Sequence, residues 1–391
     1  MTNKPAILGG KPVYGNKLPI VNPKLPLYRQ IEDDIKDVMK TGMVTKGKYL
    51  ERFEKKIAQR IGVKNAVCVS NCTTGLILVF QALGIDGEVI LPSYTFMASA
   101  HILAWNNITP KFVEIHPKTW NVDVDAVERA ITPRTVGILA VHNFGNPADI
   151  EGLQRLAQKY GIRLIYDAAH GFGSLRKGTP VGSFGDAEVF SMSPTKVLVA
   201  GEGGVVTTNN DQLAETVRVG REYGNAGDYN SIFPGLNGRM SEFHAILGYY
   251  SLLELEENVR QRNQIAEYIR YRLKELPGFV IQDISQEDRS SFKDLGFIVD
   301  EVKFGCDRDH LAQALEAENI DTRKYHYPPV HMNAAYGGNS AEGRLPITEQ
   351  IAKRSISLPL YSQMDQSQAE LICFAIERIH DYAVEIMKGQ F

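Results

Sequence analysis

The chain has 391 residues, 43% of them hydrophobic and 23% charged, a composition that excludes disorder, collagen-like repeats and coiled coil as the main content. Lysine and arginine total 43 against 46 for aspartate and glutamate, so the formal charge is −3 and there is no basic field to hold a polyphosphate backbone; no nucleic-acid partner is expected. Apolar runs such as Leu76 to Phe80 are far too short to cross a bilayer, and the amino terminus carries no long apolar stretch, which points to a cytoplasmic protein without a membrane span. The cysteines are Cys68, Cys72, Cys306 and Cys373; no second Cys or His pair completes a zinc set, so free thiols and no metal are expected.

From about residue 25 to 250, short β-branched runs alternate with helical stretches, the pattern of a layered α/β sheet. Ile31 to Lys40 and Leu50 to Ile61 carry apolar residues at helical spacing, Ala66 to Ser70 reads as a strand, and Thr73 to Leu83 reads as the helix after it. Strands follow at Glu88 to Leu91, Lys111 to Ile115, Val136 to Val141, Arg163 to Tyr166, Ala187 to Ser191 and Gly204 to Thr208. Helices at Ser99 to Asn106, Val124 to Ile131 and Asp149 to Tyr160 fall between several of them. Met240 to Leu276 reads as one long helical region containing the change of domain. Beyond it, strands at Phe279 to Ile281 and Gly296 to Val299 and helices at Arg308 to Glu318 and Gln366 to Met387 make a shorter α+β pattern. The expected organisation is a large α/β domain over 1–250, including an N-terminal arm 1–25, and a small C-terminal α+β domain over 251–391.

In Phe190-Ser-Met-Ser-Pro-Thr-Lys196, a strand ends in a hydroxyl-rich turn that presents one lysine and then passes through Gly201, Gly203 and Gly204 into another strand. A desolvated lysine can lose its proton near neutral pH and form a Schiff base to a carbonyl. Asp167 ends a hydrophobic strand, where parallel sheets place ligand sites; it is either a helix N-cap or the partner of a cationic group. His170 follows three residues later, facing the same cleft or covering the next helix. Val69 to Gly75 is a strand-to-helix turn of small and hydroxyl residues, a cap or an anion cradle. Tyr94 and Phe96 form an aromatic pair at a strand end. A lysine, a carboxylate, an aromatic and an anion cradle are together what an aldehyde-bearing aromatic phosphate needs, and pyridoxal phosphate fits all four.

With these residues in place, the sequence resembles the sugar-nucleotide aminotransferases of the DegT/DnrJ/StrS type, a branch of the fold-type I pyridoxal phosphate enzymes, over nearly its whole length. The resemblance also includes Ile7 to Val13, Gly145 to Asp149, Asn237 to Ala245, Asp321 to Arg323, Pro328 to His331 and Ser357 to Tyr361. It implies a mixed, mainly parallel seven-stranded sheet flanked by helices, plus a smaller α+β domain. It further implies that Lys196 binds the cofactor and shuttles the proton, that Asp167 partners the pyridine nitrogen and that His170 partners the phenolic oxygen. Phe96 would stack on the ring, while Thr73, Thr74 and Ser191 hold the phosphate. Asn237 would reach the phosphate from a neighbouring subunit, making shared active sites in a homodimer. His331 and Arg239 would help receive the glutamate carboxylates or the sugar nucleotide, and Tyr325, His326 and Tyr327 are placed in the substrate pocket without assigned roles. One departure is Asn71-Cys72, where many relatives have Ser-Gly. The implied reaction moves an amino group from L-glutamate to a nucleotide-linked keto-6-deoxyhexose, with dTDP-4-keto-6-deoxyglucose, aminated at C4, as the expected substrate. The alternatives are a dehydratase of the same family, whose members have histidine where this chain has Lys196, and a non-catalytic regulator on the same fold.

Overall fold

The computed structural model describes residues 4–337 and 344–389. A central sheet is built from β1 (Asn65–Val69), β2 (Glu88–Pro92), β3 (Thr109–Val113), β4 (Thr135–Val141), β5 (Arg163–Asp167), β8 (Ala187–Ser191) and β9 (Gly204–Thr208), in the order β1-β9-β8-β5-β4-β2-β3. The short strands β6 (Leu175–Arg176) and β7 (Thr179–Pro180) pair separately as a hairpin. Every neighbouring pair from β8 through β3 is parallel, whereas β9 runs antiparallel to both β1 and β8. The carboxyl ends of six strands therefore lie along one edge, and β9 starts there. Strands β8 and β9 are buried along their whole length, as expected of strands covered by helices on both faces.

The helix Lys48–Ile61 shows why the layers close. Leu50, Phe53, Ile57 and Ile61 recur at helical spacing and are buried, while the opposite face is charged. Its N-terminus is held by a buried carboxylate from a distant segment: Glu242 accepts hydrogen bonds from the amides of Gly47 (3.0 Å), Tyr49 (2.9 Å) and Leu50 (3.2 Å). These amides have no intrahelical partner, so an anion there offsets both the orphan donors and the helix dipole. The same helix lies against Glu242–Leu253, and Gly248 permits the approach, since a Cβ there would sit 2.5 Å from the Phe53 ring.

The single helical region expected over Met240 to Leu276 is two helices, Glu242–Leu253 and Leu255–Leu273. Ser241 caps the first by accepting from the amide of His244, and Glu254, at φ −94° and ψ −1°, separates the two. Likewise, Gln366 to Met387 divides at Tyr382 into Gln366–Asp381 and Ala383–Lys388. The second helix, Leu255–Leu273, belongs to both lobes. Leu255 and Val259 pack into the core beneath the large sheet, whereas Ile265, Ile269 and Leu273 enter the core of the small lobe. The change of core thus falls between Val259 and Ile265.

The small lobe is an antiparallel sheet of β10 (Phe279–Ile281), β11 (Leu295–Val299) and β12 (Ser355–Leu358), covered by the helices Arg308–Ala317 and Gln366–Asp381. The N-terminal segment, expected with the large domain, packs here instead. Leu18 is buried in the small-lobe core and bridges to Ile320, and the amides of Ala6 (2.9 Å) and Val13 (3.0 Å) donate to the Glu318 carboxylate. Glu318 is buried and paired with buried Arg378, whose Nε donates to Oε1 at 3.0 Å. Removing one member of such a pair leaves the other charge buried and uncompensated. Glu318→Ala should therefore cost about 3–5 kcal/mol in urea unfolding and expose residues 4–20 to proteolysis. A loss below about 1 kcal/mol would show the pair to be dispensable. No helix among the described residues is long and apolar enough to cross a membrane.

Candidate active site

At the shared carboxyl edge, the turns after β1, β5 and β8 converge with segments of the small lobe on a cavity of about 410 Å3. It is lined by Asn71, Cys72 and Thr73 after β1, by Phe96 after β2, by Asp167 and His170 at the end of β5, and by Ser191, Ser193, Thr195 and Lys196 after β8. Lys293, Tyr325 and His326 close it from the small lobe.

Asp167 is 5% exposed. Its Oδ2 accepts from Ser99 Oγ (2.7 Å) and its Oδ1 from the amide of Ala169 (3.1 Å). Among the described residues no cation forms an ion pair with it. A buried carboxylate held by neutral donors alone is fitted to a cationic ligand. His170 Nδ1 accepts from the amide of Phe144 (3.2 Å), which assigns the ring proton of the neutral imidazole to Nε2. Burial, and then the Lys196 and Lys293 charges, push the His170 pKa well down, so the ring is a neutral donor. Phe144 and His326 stack nearly parallel to it, with interplanar angles of 15° and 13°.

Lys196 is half-buried, on the loop from β8 to β9. Its pKa is pushed down to about 8, first by burial and next by the Lys293 ammonium, against the opposing effects of Asp294, Cys72 and Asp167. Only the neutral amine attacks a carbonyl. Covalent uptake of pyridoxal phosphate by the apoprotein should therefore quicken about tenfold per pH unit below pH 8 and level off above it. Stopped-flow absorbance would check this, and a rate still climbing at pH 10 would mean an unperturbed amine.

The anion cradle is built by the turn after β1. Asn71 caps the helix Cys72–Ala82 by accepting from the amide of Thr74 (2.8 Å), and helix geometry leaves the amides of Cys72 and Thr73 without intrahelical partners. The start of β9 lies directly against this turn: a Cβ on Gly204 would meet the Cys72 nitrogen at 2.6 Å. Cys72 itself turns inward, its thiol donating to the Val189 carbonyl (3.4 Å) and lying 3.8 Å from Asp167 Oδ1. Burial, then Asp167, raises its pKa, so it stays a thiol and leaves the cradle's amides free.

The structure thus brings Lys196, Asp167, His170, Thr73, Phe96, Ser191 and Tyr325 to one cavity. Five other expected residues lie outside its lining. Thr74 has its amide on Asn71 and its hydroxyl oxygen accepting from Ser70. Asn237 is exposed, and Arg239 is engaged with Glu222 (3.1 Å) and stands over the Tyr223 ring. Tyr327 is half exposed beside Arg308. His331 is tied through Nδ1 to Ser93 Oγ (2.6 Å), with Glu349 at 3.4 Å from Nε2. Lys293 and Asp294 were missed by sequence reasoning, since adjacent opposite charges read locally as a solvated pair.

A mainly parallel seven-stranded sheet carrying this lysine and carboxylate at its ligand-binding edge places the protein in the class of fold-type I pyridoxal-phosphate-dependent transferases. The model of the DegT/DnrJ/EryC1/StrS aminotransferase family matches residues 27–377. The chain belongs to that family and is a pyridoxal-phosphate-dependent aminotransferase. It is 32% identical to the dTDP-4-amino-4,6-dideoxy-D-glucose transaminase of Escherichia coli over 89% of this chain and 95% of the relative. It is 34% identical to the dTDP-3-amino-3,6-dideoxy-alpha-D-galactopyranose transaminase of Aneurinibacillus thermoaerophilus over 90% and 95%. The crystal structure of DesI in the presence of its TDP-sugar product superposes with a TM-score of 0.91, at 32% identity over 98% of this chain and 97% of that one.

Proposed function

We propose that this aminotransferase moves an amino group from L-glutamate to the 4-keto group of a nucleotide-linked 6-deoxyhexose, with dTDP-4-keto-6-deoxyglucose as the substrate. The observation that carries the reading is the pairing, in one cavity, of a depressed-pKa amine at Lys196 with a buried, cation-free carboxylate at Asp167. Relatives named for 4-amino and 3-amino dTDP sugars, similar along nearly their full length, support the sugar-nucleotide class.

Bound in this cavity, pyridoxal phosphate supplies an electron sink for the charge left when a C–H bond breaks. The residues divide the remaining work. Thr73, Ser191 and the free amides of Cys72 and Thr73 would hold the phosphate, Asp167 would hold a proton on the ring nitrogen, and His170 Nε2–H would donate to the phenolic oxygen. Phe96, in the cavity lining, would cover one face of the ring. Lys196 Nζ would take the proton from the donor α-carbon in the first half-reaction and deliver one to the sugar carbon in the second. The exposed Asn237, together with the exposed Leu25, Leu27, Tyr28, Met39 and Met43, supports a homodimer in which Asn237 serves the partner's phosphate site.

The test is the visible absorbance of the cofactor-loaded protein. Bleaching by glutamate with release of 2-oxoglutarate, followed by recovery on adding the 4-keto sugar nucleotide and gain of nitrogen by the sugar, is the expected result. A colour indifferent to glutamate refutes the donor. A sugar that loses oxygen without gaining nitrogen refutes transamination.

A further inference from the structure

The cavity is lined by a lysine, Lys293, for which the reaction described so far has no use. Lys293 Nζ lies 2.7 Å from Asp294 Oδ2, and the two side chains are only 3% and 4% exposed. The ammonium also stands 5.2 Å from the centre of the Tyr325 ring. Beside it, buried His326 has an Nε2 with no hydrogen-bond partner among the described residues. Buried polar atoms are almost always satisfied, and an orphan in a cavity wall is one that a ligand completes. The ring is also held in place. The Tyr325 carbonyl just before it accepts from Tyr94 Oη and Ser355 Oγ (2.5 Å each), and the His326 ring stacks with Phe144.

An aminotransferase must take two unlike substrates in turn at one place. An amino acid brings a carboxylate one bond from its α-carbon; a hexose ring brings no charge there. Among the described residues lining the cavity the only cations are Lys196 and Lys293, and Lys196 is committed to the proton. We propose that Lys293 and His326 form the carboxylate subsite for the amino donor, and that Asp294 is the resting partner that takes Lys293 back when the uncharged sugar occupies the cavity. One carboxylate oxygen accepts from the Lys293 ammonium and the other from His326 Nε2–H. Burial holds His326 neutral, with its pKa pushed down to about 3, so it contributes a hydrogen bond without a second charge. Without Asp294, the Lys293 ammonium would be buried and unpaired during the sugar half-reaction, a costly state. The exchange of partners lets one cavity read an acid and then a neutral ring.

This inference rests on the amino-acid-donor reading above, and the test separates the two. Glutarate has the donor's carboxylates but no amine, so it binds without reacting. Calorimetric titration of the cofactor-loaded enzyme with glutarate should show affinity falling about tenfold or more in Lys293→Met, the loss of one charge-assisted hydrogen bond. Asp294→Asn should act in the opposite direction, tightening glutarate severalfold by removing its competitor. A merely structural pair would lose affinity in both variants. Unchanged affinity in Lys293→Met, or weakening in Asp294→Asn, overturns the proposal. Cofactor content and melting temperature establish that each variant is folded, and if Lys293→Met is not, the direction seen in Asp294→Asn decides alone. An unaltered enzyme that is bleached by glutamate yet binds no glutarate refutes the subsite only. One that does neither refutes the donor itself.

Discussion

Lys196→Ala is expected to lower turnover by roughly 10^3–10^4-fold while leaving a folded protein that still takes up pyridoxal phosphate. The loss is large because no other described residue lining the cavity is a depressed-pKa amine able both to bind the cofactor and to move the proton. Uptake persists because the cradle amides, Ser191 and the Asp167 carboxylate are untouched by the change. The melting temperature of the apoprotein should not fall, since the substitution removes a half-buried amine whose charged form its surroundings disfavour. Single-turnover absorbance with glutamate measures the effect. A variant within about tenfold of the unaltered enzyme would remove Lys196 from the mechanism.

Asp167→Asn should slow both half-reactions together, by roughly 10^2–10^3-fold. The amide keeps the shape: its oxygen can still accept from the amide of Ala169 while its NH2 donates to the Ser99 hydroxyl, so the fold around β5 is preserved. What disappears is the negative charge that, in the proposed mechanism, keeps a proton on the ring nitrogen. Because that charge acts on the cofactor rather than on either substrate, the glutamate and keto-sugar steps should suffer alike. Pre-steady-state rates for each half-reaction make the comparison, and a defect confined to one of them would assign Asp167 to a substrate instead.

The seven strands of the large sheet are legible because each is a short β-branched run ending where a turn or a polar cluster begins, and hydrophobic periodicity reports burial directly. The interruption at Glu254 is not legible, because its neighbours are good helix formers. The break is set by tertiary bonds: Ser251 Oγ turns to the Val199 amide, and Lys24 pairs with Glu254 and donates to Asn258. β12 is only four residues long and is specified by its partner β11 more than by its own pattern. In the active site, Lys196 and Asp167 could be read because their surroundings are local: a strand end, a hydroxyl turn, a glycine cluster. Lys293 could not, because only the packing of the small lobe against the large sheet brings it to the same cavity, where His326 also lies as the family resemblance implied, though without a role.

The reversed direction of β9 has a kinetic consequence. A parallel successor to β8 would have required a crossover to the far edge of the sheet, leaving the lysine at one end of a long excursion. Instead the chain returns within residues 192–203 to the edge it left, and the loop is fastened at its neck, where the Met192 amide donates to the Gly203 carbonyl (2.8 Å) and the Ala200 amide to the Met192 carbonyl (2.9 Å). Most of the entropy of placing the amine is therefore spent once, when the protein folds, and not in every turnover. The tethered amine behaves as a reagent at very high effective concentration, so millimolar methylamine added to Lys196→Ala should restore only a small fraction of the lost rate.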